Sequence, residues 1–288
     1  MIDKNKISKG KREVPLKVLV LGQEGVGKTT FASGAPDPFF LDLDGGSHER
    51  DVKRATNIET FDELLEWVEA PEGESLVIDS LSRVEALITT KVCGKGGNLA
   101  EYGGGYGKGD AAANQHWRHL IGMLDRVNRT KNVILIGHVN VKRFDSPTGE
   151  SYDRFQLSLR EGAAGTVKQW VNYTLFCRAE IVTRVQEKSK KTLADSTGER
   201  WIYTDTHPAY DAKHRGNLPA RLPMTWKAFA GAVAADKEPV DFQLAKIRAL
   251  CPPELKERVD QAIGRGTPLI EILTHLQATV TEIKETQS

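Results

Sequence analysis

The chain has 288 residues, 39% of them apolar, and 40 basic against 39 acidic side chains give a net charge of +1. That length allows one large α/β domain with an appendage, or two modest domains. The near-neutral balance excludes a globally basic surface, so any nucleic-acid contact must come from a local patch or channel.

Three scattered cysteines (Cys93, Cys177, Cys251) form no CxxC pair, which argues against a disulfide framework and against a zinc site. The N-terminus has no apolar h-region, and no run approaches the roughly 20 apolar residues that span a bilayer. A soluble, cytoplasmic protein with no membrane partner is expected.

In chain order, residues 1–14 set Lys4, Lys6, Lys9, Lys11 and Arg12 against Asp3 and Glu13. They read as a flexible basic tail or as an arm touching nucleic acid. From Leu16, LKVLVL is an apolar, β-branched run bounded by glycine, a buried strand. PFFLDLD (38–44) and SLVIDS (75–80) are two more. Between them, Phe61, Leu64, Leu65 and Val68 share one face of a helix over 61–70.

The segment 94–110, GKGGNLAEYGGGYGKGD, is too rich in glycine for a regular helix or central strand. A helical stretch through AAANQHWRHLIGMLDRVNR leads into a fourth strand, NVILIGHV (132–139). Such alternation predicts βαβ units and a mainly parallel sheet. Shorter alternating strands near 152–159, 171–178, 180–187 and 199–205, some separated by SPTGE and DSTGE turns, predict an antiparallel extension. The last 50 or so residues carry helical periodicity, with Pro252, Pro253 and Pro268 near helix starts. The expected organisation is a tail over 1–14, an α/β core over 15–235 and a small helical C-terminal appendage over 236–288.

Gly22, Gln23, Glu24, Gly25, Val26, Gly27, Lys28 and Thr29 follow the first strand directly and fit the P-loop pattern, with Thr30 next. Glycines let the backbone wrap a phosphate with its N–H groups pointing inward as a helix begins. Lys28 then meets the β/γ oxygens of ATP, and the Thr29 hydroxyl ligates Mg²⁺. Asp79, ending the strand at SLVID, is placed to hold the magnesium through water; its bland alternative is an ordinary strand-terminal carboxylate.

VIDSLSRVEAL, an acid-tipped strand followed at once by Ser, resembles the RecA family and its ring-helicase relatives. In that family the strand after the P-loop helix ends in an acid that activates the attacking water, usually Glu. Here FFLDLDGG offers Asp42 and Asp44, and the family spacing selects Asp44, one methylene shorter than usual; one of the pair could instead cap the following turn. The strand NVILIGHVN resembles the family's sensor strand, with His138 where Gln is usual. DAKHRGNLP resembles a Lys-x-Arg element that reaches a neighbouring subunit's γ-phosphate, with Lys213 and Arg215 in its two positions. Alternation on an extended segment would put both on one side, and the alternative is a solvated basic turn.

Taken in this order, the set is most similar to the bacteriophage RecA-like ATPases that assist single-strand annealing and recombination, over about residues 15–225. The resemblance implies a RecA-like P-loop NTPase core, ATP and Mg²⁺ as cofactors, a homo-oligomer (ring or filament) and single-stranded DNA as partner. A single-strand-binding protein is a further possible partner, and the host cytoplasm the location.

In the RecA family two mobile loops hold the strand. Lys95, Tyr102, Tyr106 and Lys108 sit in the glycine-rich segment, and Lys142, Arg143, Phe144 and Tyr152 lie in the segment after the sensor strand. Aromatics interleaved with basic residues suit sequence-indifferent stacking, although each is also compatible with an ordinary flexible loop. A ring-type helicase or loader motor is the competing reading, and a small-molecule P-loop kinase a weaker one, since no arginine-rich lid follows the core.

Overall fold

The computed structural model describes residues 13–147, 149–185, 192–238 and 240–286; segment 1–12 of the expected tail lies outside them. In order, the chain forms β1 (Lys17–Gly22), α1 (Lys28–Ser33), β2 (Pro38–Asp42), β3 (Lys53–Ala55), α2 (Phe61–Glu69), β4 (Ser75–Asp79) and α3 (Leu81–Cys93). Then come α4 (Lys108–Val127), β5 (Asn132–Phe144), β6 (Tyr152–Leu157), α5 (Glu161–Trp170), β7 (Tyr173–Val185), β8 (Thr192–Tyr203) and β9 (Arg221–Pro223). Four helices close the chain: α6 (Trp226–Lys237), α7 (Val240–Leu250), α8 (Lys256–Gly264) and α9 (Leu269–Thr286).

The strands form one sheet in the order β3-β2-β4-β5-β1-β7-β8-β9, with β6 paired to the far end of β5. Every pairing from β3 to β7 is parallel, while β7/β8, β8/β9 and β5/β6 are antiparallel. This is an α/β fold of the RecA-like P-loop type: a mainly parallel sheet, an antiparallel extension and a helical C-terminal part.

Strand β1 shows why the sheet is central. Its side chains alternate between two faces, and both faces are covered. Leu19 and Leu21 join Phe61, Leu64, Trp117 and Leu124 of α2 and α4 on one side. Val18 and Val20 join Phe31, Trp226 and Phe229 of α1 and α6 on the other. Trp117 and Phe229 are at most 1% exposed; truncating either to Ala would cost ~3–5 kcal/mol. Thr60 caps α2 by accepting from the Glu63 amide at 3.2 Å, while Glu63 accepts from the Glu59 amide at 3.0 Å, so two otherwise orphaned donors are satisfied.

Helix α6 still packs on the sheet, whereas Ile247, Ile272, Leu273 and Leu276 of α7 and α9 build a small cluster of their own. Ile270 ties α9 to the sheet's second face.

Several elements differ from the sequence expectation. The strands anticipated at 171–178 and 180–187 are one strand, β7, with a register shift between Ala179 and Ile181; residues 186–187 lie outside the described residues. Strand β5 continues to Phe144, because its far half leaves the parallel sheet and pairs with β6 instead. Helix α4 begins at Lys108, inside the glycine-rich segment. A β-carbon on Gly109 would stand 2.1 Å from the Leu99 carbonyl oxygen, so the loop can only cross the helix at a glycine.

Candidate active site

The carboxyl ends of the parallel strands gather the chemistry, as open α/β sheets do. The turn after β1 carries Gln23 to Gly27; Gly22 pairs with His138 on β5, and Asp42 pairs with Asp79 across β2 and β4. Gly27, just before α1, takes φ 103°, a left-handed conformation that favours glycine.

Gln23, Glu24, Gly25 and Thr30 are exposed along the turn and the first helical turn, while Val26 folds back into the core. Lys28 is 5% exposed. Its ammonium donates to the Gly22 and Gln23 carbonyls, both at 2.9 Å, and stands 3.5 Å from Nδ1 of His138. Burial pushes its pKa down, opposed by the negative groups around it. Beneath it Cys177 is fully buried, and its thiol is pushed up to about 12. That removes it as a nucleophile.

Thr29 Oγ1 donates to Asp79 Oδ2 at 2.7 Å. Asp79 is buried, and desolvation raises its carboxyl, with the Thr29 hydroxyl pulling the other way. A hydroxyl and a buried carboxylate in contact beside a lysine fit a Mg²⁺–phosphate group: hard oxygen donors for the cation and an ammonium for the phosphate. Thr29 would ligate the ion directly and Asp79 through water.

The two aspartates at and just past the end of β2 have different contacts. Asp42 accepts from the Gly46 amide at 3.0 Å, the Ser47 amide at 3.0 Å and the Ser47 hydroxyl at 2.6 Å. These three contacts commit it to holding the turn, with both acceptances from Ser47 on one oxygen. Asp44 instead faces a cleft of ≈ 890 Å³ lined by Gln23, Glu24, Ser82, His138 and Ser158. His138 Nε2 lies 3.7 Å from Asp44 Oδ2, and Arg83 Nε 3.6 Å from Oδ1. The facing imidazole is the largest influence on Asp44 and holds its carboxyl below the ordinary value.

The Lys-x-Arg element divides. Lys213 points back into its own chain, where its ammonium donates to the Lys168 carbonyl at 3.0 Å and the Val171 carbonyl at 2.7 Å, closing the end of α5. The expectation that both cations face one anion is corrected here: backbone bridging between Lys213 and Thr174 turns the lysine inward. Arg215 is exposed. The segment before it is anchored by Asp211, which pairs with Arg154 and, at 3.1 Å, with Lys168.

Of the loop residues, Tyr106 is 100% exposed and Tyr102 40%. Lys95 is exposed, while Lys108 spends its ammonium on the Gly103 carbonyl at 2.9 Å. Lys142 and Arg143 are not on a mobile loop, as the sequence suggested. They lie on β5, paired with Arg154 and Asp153 of β6, so their side chains leave opposite faces. Phe144 and Tyr152 pack on each other with ring centroids 5.4 Å apart.

Sequence reasoning missed Arg200. Its Nη1 lies 2.8 Å from the point a β-carbon on Gly27 would occupy, although 173 residues separate the two in sequence. An arginine in a strand beside a GE turn carries no local signal of that contact.

No described helix is long and apolar enough to cross a membrane. A sequence profile described as AAA domain matches residues 14–216. No curated protein sequence matches the chain significantly. The crystal structure of flagellar accessory protein FlaH from Methanocaldococcus jannaschii is similar at 9% identity and TM-score 0.33, covering 70% of this chain and 92% of that one. The fold assignment rests on this chain's own strand order and P-loop.

Proposed function

The chain belongs to the AAA domain family, a nucleotide-binding ATPase by its P-loop, and from that premise we propose that it hydrolyses ATP with Mg²⁺ and couples turnover to single-stranded DNA, assisting phage recombination or strand annealing. One observation carries the catalytic half: Lys28, Thr29, Asp79, Asp44 and His138 gather at the carboxyl ends of the parallel strands, with Thr29 on Asp79 at 2.7 Å and His138 3.5 Å from Lys28 and 3.7 Å from Asp44.

Lys28 holds the β/γ-phosphate oxygens, its geometry fixed by two carbonyls that orient the ammonium. Bound Mg²⁺ would neutralise charge developing on the phosphates. Asp44, ionised and open to the cleft, accepts a proton from the attacking water. His138 bridges the base and Lys28, so it is placed to sense the γ-phosphate between them. Arg215, exposed on an anchored segment, would reach across a subunit boundary in a homo-oligomer, ring or filament.

The DNA half rests on position: the 94–107 loop follows α3, the helix after β4, and the β5–β6 hairpin extends the strand that carries His138; between them they hold Tyr102, Tyr106, Lys95, Lys142 and Arg143. A single-strand-binding protein is a fitting further partner. A ring-motor or loader subunit is the second reading, favoured by the same exposed Arg215; processive unwinding would select it.

Steady-state ATP hydrolysis with and without single-stranded DNA tests the proposal, with Lys28→Ala as control. Stimulation by single strands but not duplex supports it. Hydrolysis indifferent to DNA, with no strand binding at low salt, removes the DNA half.

A further inference from the structure

We propose that Arg200 is a nucleotide-binding residue supplied in cis, which grips the α/β-phosphate end of a nucleoside di- or triphosphate from the side of the P-loop opposite Asp44 and His138. The inference rests on the nucleotide reading above and adds a residue to it.

Strand β8 fixes the arginine's backbone. Arg200 pairs with Ala179 of β7, and its carbonyl accepts from the Met224 amide at 3.0 Å. From there the side chain crosses to the P-loop. Its Nη1 is 2.8 Å, and its Cδ and Cζ each 3.8 Å, from where a β-carbon on Gly27 would sit. Gly27 thus serves twice, taking a left-handed turn and leaving room for a guanidinium.

Charge distinguishes this arginine from its neighbour. Arg221 lies 4.0 Å above the Trp201 ring and 3.9 Å from the Glu180 carboxylate. Arg200 is exposed, and among the described residues no carboxylate pairs with it. A cation held against a phosphate-binding loop, with no carboxylate partner among the described residues, is completed by the phosphate itself. The planar fork of arginine matches two phosphate oxygens at once.

Sheet order decides which phosphates. Strands β5, β4 and β2 lie on one side of β1; β5 and β4 carry His138 and Asp79, and Asp44 follows the end of β2, together the γ-phosphate end. Strands β7 and β8 lie on the other side. An arginine arriving from β8 meets the nucleotide where it leaves the loop, away from the bond that is cut. It therefore recognises diphosphate and triphosphate alike.

The test is equilibrium binding of Mg²⁺-ADP and of a non-hydrolysable ATP analogue to the full chain, by calorimetry, comparing wild type, Arg200→Ala, Arg200→Lys and Lys28→Ala. Arg200→Ala is expected to weaken both ligands by similar factors, about 10- to 100-fold, the loss of charged hydrogen bonds. Arg200→Lys should restore part of the loss. Unchanged affinity for ADP overturns the proposal, whether or not the triphosphate analogue weakens, because the arginine would then not hold the α/β end. If wild type binds neither ligand better than Lys28→Ala does, the nucleotide reading itself fails. If wild type binds and Arg200→Ala binds equally, only the role of Arg200 fails.

Discussion

His138 Nε2 lies 3.7 Å from Asp44 Oδ2, a contact made across the whole width of the intervening strand β4. The imidazole is the main influence holding Asp44 below the ordinary 3.8. A general base must be ionised, so a depressed carboxyl keeps working as pH falls and fails only when pH drops through its own low pKa. Removing the imidazole lets the carboxyl rise. In His138→Ala the acid limb of the kcat–pH profile is therefore expected to move to higher pH. Asp44→Asn should lower kcat by ~10²–10⁴. The same carboxylate stabilises the fold above its unfolded pKa and loses that contribution as pH falls through the folded one.

Thr29 and Asp79 predict how nucleotide binding depends on metal. Asp79 is buried and raised by desolvation, a cost that a divalent cation beside it relieves. In wild type, chelating Mg²⁺ should weaken ADP binding. In Asp79→Asn, the Mg²⁺ needed for half-maximal ADP binding should rise about 10- to 100-fold, the usual effect of losing an outer ligand partner. Titrating Mg²⁺ at fixed ADP reads this directly; equal titrations of the two proteins would rule Asp79 out as a metal partner.

The legible parts of this site were those whose chemistry is local. The P-loop is eight consecutive residues after a buried strand, and Asp79 ends an apolar run, so both could be read without tertiary contacts. Family spacing pointed to Asp44, but the job of Asp42 needed the turn: only the structure shows three donors on it. The inward turn of Lys213 depends on the carbonyls of Lys168 and Val171, more than 40 residues away. Arg200 depends on a strand pairing far from the P-loop. Non-local contacts of this kind leave no periodicity or spacing to read. The β5 extension escaped for a related reason: alternating polar residues after Val139 suit a hairpin arm as well as a loop, and only pairing with β6 decides.

Lys213 and Arg215 should separate cleanly on mutation. Lys213 satisfies two carbonyls at the end of α5, so Lys213→Met is expected to lower stability by ~1–3 kcal/mol, seen as a drop in Tm. Arg215 is exposed, so Arg215→Ala should leave Tm within a degree or two while lowering kcat; an arginine finger is worth ~10³-fold or more. Mixing Arg215→Ala subunits with Lys28→Ala subunits gives the sharper measurement. If the arginine acts across a boundary, mixed assemblies regain activity that neither variant has alone. Absence of such complementation would place Arg215 outside the neighbour's site.

Leu99 anchors the glycine-rich loop by burying 99% of its surface against the α3–α4 side of the core, which leaves Tyr106 projecting fully into solvent. That arrangement makes the two kinds of DNA contact separable. Stacking of a base on Tyr106 is sequence-indifferent and carries no counter-ions, so Tyr106→Ala should weaken binding to an oligo-dT by about 5- to 100-fold without changing its salt slope. Arg143→Ala removes a phosphate contact, so log K against log salt should flatten by about 0.7, the single-strand value per phosphate. Lys108 is already spent on the Gly103 carbonyl, and Lys108→Ala should do less than either. Fluorescence anisotropy over a salt series measures all three. If Tyr106→Ala binds as wild type does at every salt concentration, the loop is not the strand's platform, and the exposed tyrosine belongs to some other contact.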